Sequence, residues 1–382
     1  MISIRQQCLW IVVFQLLLFA GVVSSDEISE WETAWPNTDF TKHNIPLSEI
    51  ESGGIPKDGI PSINRPRLES IKQARKWINE NEPVMVVVSG NGARAYPLQI
   101  LIYHQIVNDI FQGKPIVVTF CPLCHSGLVL SRKVGSKTLT FGSTGLLRNS
   151  GLIMFDRQTE SWWQQFIGTA IVGEYTGEKL TIDFSSQLIS FGQFAERYPK
   201  SKVLSRDTGF RRKYGLNPFQ GYDSIDNTPM MFNDVTDPRL PPMERVLSLS
   251  LDDSLKLYPY SSINTKGVIN DIVKGIPVVI LSGAGYASPL DQTDISKSAT
   301  VLVVAGYISQ VNDTQLTFTK IDGEVFDEQT KSLWNVFGFA VSGSLKGTQL
   351  SRIDVGTHFA FAALAFTPEA DVYIDTELLK SK

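Results

Sequence analysis

The feature that most constrains the fold of this chain is a segment that occurs twice. Residues 94–120 (RAYPLQILIYHQIVNDIFQGKPIVVTF) are echoed by residues 256–281 (KLYPYSSINTKGVINDIVKGIPVVIL), and the shared Tyr-Pro, Asn-Asp and Pro positions keep one constant separation along the chain. Further on, residues 155–163 (FDRQTESWW) are echoed by residues 326–334 (FDEQTKSLW) at a slightly greater separation. Solenoid and propeller repeats have periods of about 20 to 50 residues. The much longer spacing here predicts a duplicated domain.

The repeat divides the chain into five predicted parts. Residues 1–25 are predicted to be a signal peptide, and residues 26–83, rich in Pro, Gly and charge, an extended lead-in with one helix. Residues 84–225 are the predicted first unit, residues 226–243 a Pro- and Asp-rich linker, and residues 244–382 a degenerate second unit. The length of 382 residues agrees with two domains of about 150 residues each.

Each predicted unit combines many strands with few helices. Apolar residues at helical spacing predict an amphipathic helix in the first unit, at Leu98, Ile102, Ile106 and Ile110. An apolar strand (IVVTF), a hairpin with a Gly turn (LVLSRKVGSKTLTFGS) and a closing helix (FGQFAERYP) follow it, and the second unit has the same order. Strands clustered after one helix indicate an α+β fold class: two β-rich units with largely antiparallel sheets and flanking helices.

The N-terminus has the composition of a secretory signal. Arg5 precedes the apolar residues 8–23, and small residues before Asp26 suit signal cleavage. The run is shorter than the roughly 20 residues of a membrane span, which favours secretion or a secretory-pathway lumen. An uncleaved signal anchor that tethers the protein to a membrane is the alternative. After cleavage no later segment is long and apolar enough to span, and Asn312 in Asn-Asp-Thr becomes the glycosylation sequon.

Composition and missing motifs exclude several classes of function. The chain is 42% hydrophobic and 19% charged, with a formal net charge of −4 and a pI of about 5.7. Such a chain offers no general positive field to nucleic acid, so no nucleic-acid partner is expected. No phosphate-binding loop, zincin or dinucleotide-binding signature is present, so no nucleotide cofactor is expected. The expected partner is a small molecule or a protein, and the sequence does not identify it.

Three chemically special residues of the first repeat are missing from the second. The first repeat and the strand end after it hold His104, Cys121 and Cys124. The corresponding residues of the second copy are Lys266, Gly283 and Tyr286. If the three residues form one site, we expect all of them to be lost together, because a site that lacks some of its residues no longer works. The alternative is that the three positions changed independently. Residues that both copies keep are expected to form turns, caps and the core.

The first unit also resembles a known family. AYPLQILIYHQIVNDIFQGKPIVVTFCPLCHSGLVLSR and LTFGSTGLLRNSGLIMFDRQTESWWQQ carry Tyr-Pro, a helix with His and Asn-Asp, Cys-Pro-Leu-Cys and Asp-Arg-x-Thr-Glu-Ser in this order. This order resembles the uncharacterised, mostly bacterial family of unknown function numbered 3179, over residues 84–200 and more weakly beyond them. The resemblance implies no activity. It places the family's motif positions at His104, Cys121, Cys124, Asp156, Arg157 and Glu160. His125 departs from the family, which more often has a small or polar residue there.

A metal site is the main functional hypothesis. Two thiolates at Cys-x-x-Cys spacing chelate one ion, and His104 would add a third ligand, with His125 or Asp156 as the fourth. Soft sulfur ligands favour copper or zinc, with copper slightly preferred. Asp156, Arg157 and Glu160 would place charge beside the cysteines, unless they only form a surface turn with a local ion pair. The function would be redox catalysis or metal handling by a secreted protein.

Two alternatives belong to other classes. In a thiol–disulfide oxidoreductase, Cys121 and Cys124 would be catalytic, the first attacking a disulfide and the second resolving it. A hairpin follows the motif where thioredoxins have a long helix, which argues against a thioredoxin fold. The third hypothesis is a non-catalytic extracellular binding module with a structural Cys121–Cys124 disulfide, although so short a loop contributes little stability. The sequence leaves all three hypotheses open.

Overall fold

The structure, a computed structural model, describes residues 25–90, 92–252 and 254–375. It is β-rich, with 13% helix and 42% strand, and its sheets are mostly antiparallel. This confirms the predicted β-rich, largely antiparallel architecture. Within the described ranges no helix has the length and apolar character needed to cross a membrane. The predicted signal peptide lies outside these ranges except for Ser25.

The helices of the described chain are short. Their bounds are α1 Ser25–Ala34, α2 Ile71–Ala74, α3 Leu98–His104, α4 Phe191–Arg197, α5 Tyr260–Lys266 and α6 Ala360–Phe366, with 3₁₀-helices at Leu47–Glu49 and Ile295–Lys297. Helices of this length are marginal alone, so they depend on packing against the sheets.

The strands before residue 205 form three sheets and a hairpin, which we call the first half (residues 25–204). They are β1 Glu51–Ser52, β2 Ile63–Asn64, β3 Leu68–Ser70, β4 Pro83–Ser89, β5 Gly92–Pro97, β6 Ile106–Phe111, β7 Lys114–Cys121, β8 Ser126–Ser131, β9 Lys133–Val134, β10 Lys137–Thr138, β11 Phe141–Arg148, β12 Gly151–Asp156, β13 Trp162–Gln164, β14 Thr169–Val172, β15 Ser185–Ser190 and β16 Lys202–Leu204. The sheet orders are β15-β4-β5-β16-β3, β2-β6-β7-β8 and β1-β11-β12-β13-β14, beside the hairpin β9-β10. Gly135, at a φ of 55°, forms the turn of this predicted hairpin.

The strands after residue 244 form the second half (residues 245–375). They are β17 Arg245–Leu251, β18 Ser254–Pro259, β19 Val268–Val273, β20 Ile276–Ala287, β21 Thr300–Ile308, β22 Gln310–Val311, β23 Thr314–Gln315, β24 Phe318–Ile321, β25 Glu324–Asp327, β26 Leu333–Trp334, β27 Ala340–Ser342, β28 Asp354–Phe359 and β29 Asp371–Val372. Their orders are β28-β17-β18-β29, β19-β20-β21 and β24-β25-β26-β27, beside the hairpin β22-β23. The order of antiparallel pairs and the one parallel strand beside β18 match β15-β4-β5-β16 of the first half.

The Tyr-Pro and Asn-Asp positions make the same hydrogen bonds in both halves. Tyr96 Oη donates to Asp109 Oδ2 at 2.6 Å, and Tyr258 Oη donates to Asp271 Oδ2 at 2.8 Å. Asn108 bonds both backbone groups of Phe141 at 2.8 and 2.9 Å, as its counterpart in the second half does with the first residue of β24. The predicted structural role of these shared residues therefore has a physical reason: each pair fastens one sheet to the next.

The prediction of an amphipathic helix over residues 98–110 is wrong for the second part of this range. Helix α3 ends at His104 because Gln105 takes a left-handed conformation, at a φ of 57°, while its N–H still bonds Leu101 O. Ile106 and Ile110 lie in β6, which pairs antiparallel with β7. A run of β-branched residues beside a partner strand prefers the extended backbone, so tertiary pairing overrides the helical spacing.

Residues 26–83 are less separate from the first half than their composition predicted. Trp35, Phe40 and Ile50 are buried in one cluster around Trp162. Strands β1, β2 and β3 each add an edge to a different sheet of the first half. The helix expected within LESIKQARKWINE is reduced to α2. Its first three residues pair with β16, and the residues after Ala74 form turns.

The two halves share a hydrophobic core. Its largest cluster joins Val84 and Phe191 of the first half with Leu247 and Val278 of the second, all fully buried. The connection between the halves, residues 205–244, contains no helix or strand longer than an isolated bridge. It includes the predicted linker and crosses the surface where β7 ends, which positions it over the cysteines.

Candidate functional site

The two cysteines lie in a tight turn between two strands of one sheet. Cys121 ends β7 and pairs with Ser126, the first residue of β8. His125 closes this turn in the left-handed region, at a φ of 50°, and its N–H bonds Pro122 O at 3.3 Å. Both thiols are free, with Cys121 1% and Cys124 0% exposed. We call residues 121–125 the dithiol turn.

The surroundings of the two thiols shift their pKa values in opposite directions. Hydrogen bonding from the Cys124 thiol lowers the pKa of Cys121 against the effect of burial, and backbone N–H groups, including that of Leu123, act in the same direction. Burial, and then the neighbouring Cys121 sulfur, raise the pKa of Cys124 well above its usual value. As a neutral thiol, Cys121 donates a long bond to Ser150 O at 3.8 Å. When one proton leaves the pair, Cys121 is therefore the thiolate.

His104 does not join the cysteines. Its Nδ1 lies 2.7 Å from Pro61 O, which can only accept, so Nδ1 donates and Nε2 accepts from Tyr214 Oη at 2.6 Å. Phe210 covers the ring at a centroid distance of 5.2 Å. Burial lowers the pKa of His104, which agrees with a neutral ring that has both nitrogens bonded. These contacts give His104 a structural role.

The expected Cys/Cys/His cluster is not formed in the part of the chain that the structure describes. No three His, Cys, Asp or Glu side chains stand close enough there to hold a metal ion. The backbone does bring His104 near the end of β7, since Phe120 N–H bonds Gln105 O at 2.9 Å. The side chain nevertheless faces away from the sulfurs, because its two ring nitrogens bond Pro61 O and Tyr214 Oη.

His125 faces the second half instead of the sulfurs. Its ring is fully buried against Phe359 at 5.3 Å, and neither nitrogen has a hydrogen-bond partner among the described residues. It lines a cavity of about 30 Å³ together with Tyr260, Tyr286 and Thr357 of the second half. That volume holds a water molecule. Burial, followed by the charge of Arg245, lowers the pKa of His125 well below its usual value.

Asp156 shapes a turn in the first half. It is 0% exposed, and its carboxylate accepts from the N–H and hydroxyl of Thr159 at 2.8 and 3.0 Å and from Trp163 Nε1 at 3.0 Å. Asp327 accepts the equivalent bonds in the second half, including one from Trp334 Nε1 at 2.9 Å. The hydrogen bonds within this turn therefore explain why the Asp156 carboxylate can be buried.

Arg157 and Glu160 lie in ion pairs with residues 57 and 58. Arg157 forms a two-pronged pair with Asp58, both bonds at 2.7 Å, and Glu160 pairs with Lys57 at 2.5 Å. The Asp58 and Arg157 side chains are about one-third exposed. These contacts fasten the region before β2 to the turn after β12, so both ion pairs are made with a segment that is distant in the chain.

A segment of the connection covers the dithiol turn. In this cover segment (residues 219–235), Tyr222 Oη donates to Leu123 O at 3.0 Å and accepts from Met230 N–H at 3.2 Å. Ser150 Oγ donates to Met230 O at 2.7 Å, so one residue separates the segment from Cys121. Phe359 N–H of the second half bonds Cys124 O at 3.0 Å. The turn is therefore held from two sides.

Sequence reasoning missed Tyr222, Met230 and Phe359. A signal was present for the first two: a Tyr and a Met-Met-Phe string stand in a segment otherwise rich in Pro, Asn and Asp. Aromatic and Met side chains in such a segment indicate contact with a core. Asn312, the predicted glycosylation residue, lies exposed in the turn between β22 and β23.

Tyr222→Phe is expected to loosen the cover segment and speed chemical modification of the thiols about 30-fold, because it removes two hydrogen bonds that contribute about 1 kcal/mol each. The rate of reaction with a small aromatic disulfide reagent measures this in native conditions. Tyr175→Phe is the matched control, because its buried hydroxyl makes no hydrogen bond in the described structure. An unchanged rate in Tyr222→Phe would show that the segment does not limit access.

Comparison with known proteins agrees with the motif order. The family model described as Protein of unknown function (DUF3179) matches residues 57–370, which covers most of the chain and extends through both halves. The resemblance is therefore wider than the strong region of residues 84–200. Searches of curated proteins and of solved structures gave no match. The chain belongs to the DUF3179 family of proteins of unknown function.

Proposed function

We propose that this protein is a thiol–disulfide oxidoreductase with Cys121 and Cys124 as its redox pair. One observation carries the proposal: two free thiols in one turn have unequal surroundings, which favour the thiolate at Cys121 and the thiol at Cys124. Disulfide exchange needs an attacking thiolate and a second thiol that resolves the intermediate. The dithiol turn provides both.

The proposed reaction has two steps, attack by Cys121 and resolution by Cys124. The Cys121 thiolate attacks one sulfur of a substrate disulfide, which forms a mixed disulfide and expels the other sulfur as a thiolate. Cys124 transfers its proton to that leaving group and attacks Cys121 sulfur, which forms the Cys121–Cys124 disulfide and releases the second substrate thiolate, protonated by water. The substrate disulfide is reduced to two thiols while the protein dithiol is oxidised. The reverse steps oxidise a substrate dithiol.

Secretion suits this reaction. We propose that residues 1–25 direct the chain into the secretory pathway, where disulfides form and persist. Asn312 would be glycosylated there, since the described structure leaves it exposed in a turn. A retained signal anchor would place the same dithiol on a membrane surface.

We also propose that the halves arose by duplication, with units at residues 84–225 and 244–382. The shared hydrogen bonds of Asp156 and Asp327 and the matching strand orders support this ancestry. The second half would then have lost the thiols and kept a supporting role. The bond from Phe359 N–H to Cys124 O supports that role, because it holds the resolving cysteine from across the shared core.

Copper(I) handling is the second candidate function. Two soft thiolates suit copper(I), whereas structural zinc normally has four ligands and catalytic zinc three. The dithiol turn supplies two such sulfurs and the described residues supply no His, Cys or carboxylate group to complete a larger set. Cys121 and Cys124 would hold the ion alone.

The experiment that tests the proposal is a single-turnover assay on the purified mature chain. We expect oxidised glutathione to convert the protein to a form two hydrogens lighter. Cys121→Ser leaves Cys124 without a partner thiol, so it should abolish this product and slow reaction with glutathione at least about 100-fold. Cys124→Ser should stop at a mixed disulfide with glutathione, which mass spectrometry detects. His104→Ala is the control, because His104 lies outside the thiol cluster, and its folded fraction should react at the wild-type rate.

Metal analysis of the same sample separates the two candidates. One copper per chain that is lost in Cys121→Ser, together with no exchange in the metal-free protein, would overturn the oxidoreductase proposal in favour of copper handling. The oxidoreductase proposal would also be contradicted if oxidised glutathione fails to oxidise the two thiols, both when the cover segment is folded and when it is unfolded.

A further inference from the structure

The cover segment presents an apolar strip to solvent. Ile225, Met230, Met231 and Val235 are 46%, 48%, 39% and 89% exposed. Large apolar side chains grouped in this way on a surface indicate an interaction site more often than singly scattered ones do. Met is flexible and polarizable, so a Met-containing surface adapts to partners of different sequence.

The strip is connected to the reactive sulfur by few contacts. Met230 O accepts from Ser150 Oγ at 2.7 Å, and Ser150 O accepts from Cys121 Sγ at 3.8 Å. Met230 N–H and Leu123 O share the Tyr222 hydroxyl. A ligand that pulls Met230 outward therefore breaks the bonds that close the dithiol turn.

The strip is also acidic. Residues 214–238 contain no Lys or Arg. Asp226 and Asp234 are exposed and form no ion pair within the described chain, while Asp237 pairs with Arg239 at 2.7 Å. An apolar surface with uncompensated carboxylates attracts partners that combine apolar and basic side chains. It repels anionic lipid headgroups and a second copy of itself.

We propose that this strip binds an extended polypeptide with apolar and basic residues, which carries the disulfide or dithiol that the dithiol turn exchanges. Docking replaces the contacts of Met230 and moves the cover segment away from Cys121. The inference rests on the proposed oxidoreductase function and deepens it by naming the substrate class. Burial of both thiols in the free protein then slows their reaction with small oxidants relative to their reaction with a polypeptide that docks.

The test compares a peptide disulfide with a small one. The peptide probe has Leu and Lys around one Cys that carries a fluorescent thiol in disulfide linkage, and the small probe is oxidised glutathione. The variant Met230→Ser/Met231→Ser removes apolar area from the strip. We expect it to lower the second-order rate constant for reaction with the peptide about 10-fold, and to leave the reaction with oxidised glutathione within about 3-fold of wild type.

A matched control changes exposed apolar residues elsewhere. Ile272 and Ile321 are 62% and 55% exposed in the second half, and Ile272→Ser/Ile321→Ser should react with both probes at wild-type rates. Replacing Lys by Glu in the peptide should slow its reaction, and Asp226→Asn/Asp234→Asn should reduce that difference. Circular dichroism of each variant confirms that it is folded.

Several outcomes overturn the inference. Equal loss with both probes, or no loss with the peptide, would show that the strip does not recognise polypeptide. Binding of the wild type to anionic vesicles, or dimerisation that the Met variant abolishes, would assign the strip to a membrane or to a second copy. No reaction with either probe would instead mean that the proposed function itself fails.

Discussion

Asp156→Ala is expected to lower the free energy of unfolding by about 3–5 kcal/mol. The carboxylate is 0% exposed and accepts hydrogen bonds from Thr159 and from Trp163 Nε1. Its removal leaves those buried donors unpaired and opens a gap beside the Trp163 ring, and both effects are costly in a packed core. Chemical denaturation with fluorescence and circular dichroism detection measures the change.

The second half supplies a matched comparison for this variant. Asp327→Ala removes the equivalent bonds to Thr330 and Trp334 and should destabilise the protein to a similar extent. Asp58→Asn is the control, because it removes only the charge of the partly exposed pair with Arg157, suits the left-handed φ of 57° at that position and should cost less than about 1 kcal/mol. Asp156→Asn should retain disulfide exchange in its folded fraction. Loss of exchange without loss of stability in that variant would give Asp156 a direct part in the site instead.

Acid is expected to destabilise the protein through two buried histidines. His125 and His358 are 0% and 3% exposed. Burial lowers the pKa of His125 well below its usual value and that of His358 to about 3. The unfolded chain has an ordinary His pKa of about 6.5, so below that pH the unfolded state binds more protons and the free energy of unfolding falls. The fall continues until the pH reaches the folded pKa, about 3 for His358.

The size of this effect follows from proton linkage. Each histidine that stays neutral in the fold costs about 1.4 kcal/mol per pH unit below pH 6.5, or about 2.7 kcal/mol at pH 4.5. For both rings the total is about 5 kcal/mol. Glu82 and Glu244 act in the opposite direction, because burial raises their pKa values and their folded forms take up protons earlier on acidification. A histidine variant is therefore needed to isolate the effect.

Urea unfolding of the wild type and of His125→Phe/His358→Phe between pH 7.5 and 4.5 provides that comparison. Phe keeps an aromatic ring against Phe359 and Phe166, which contact the two histidines at 5.3 and 4.7 Å. We expect the stability of the variant to fall much less steeply below pH 6.5. His43→Gln, which changes an exposed histidine, should keep the wild-type slope. If the free energy of unfolding has the same pH dependence in the wild type and in the double variant, the linkage argument is contradicted.

The cover segment and the histidine cavity could not have been predicted from the sequence. Tyr222 and Leu123 are far apart in the chain, and the bond between them depends on how the connection crosses the end of β7. The cavity around His125 is lined by Tyr260 and Thr357, so it exists only because the halves pack face to face. Contacts between distant segments leave no periodic pattern. The Tyr and the Met-Met-Phe string of the cover segment indicate contact with a core, but they do not indicate which residues they meet.

The sequence by itself determined the β-rich class, the family, the two thiols in one turn and the structural role of the shared Tyr-Pro, Asn-Asp and Asp-x-x-Thr positions. These follow from local strand patterns and from comparing the two similar segments, which separates residues that both segments contain from residues that only the first contains. Only the tertiary structure decided which side chains meet. His104 bonds Pro61 and Tyr214 instead of the cysteines, because segments distant in the chain place those two groups against its ring. Spacing along a chain predicts which backbone positions are near each other, whereas the orientation of a side chain depends on the packing around it.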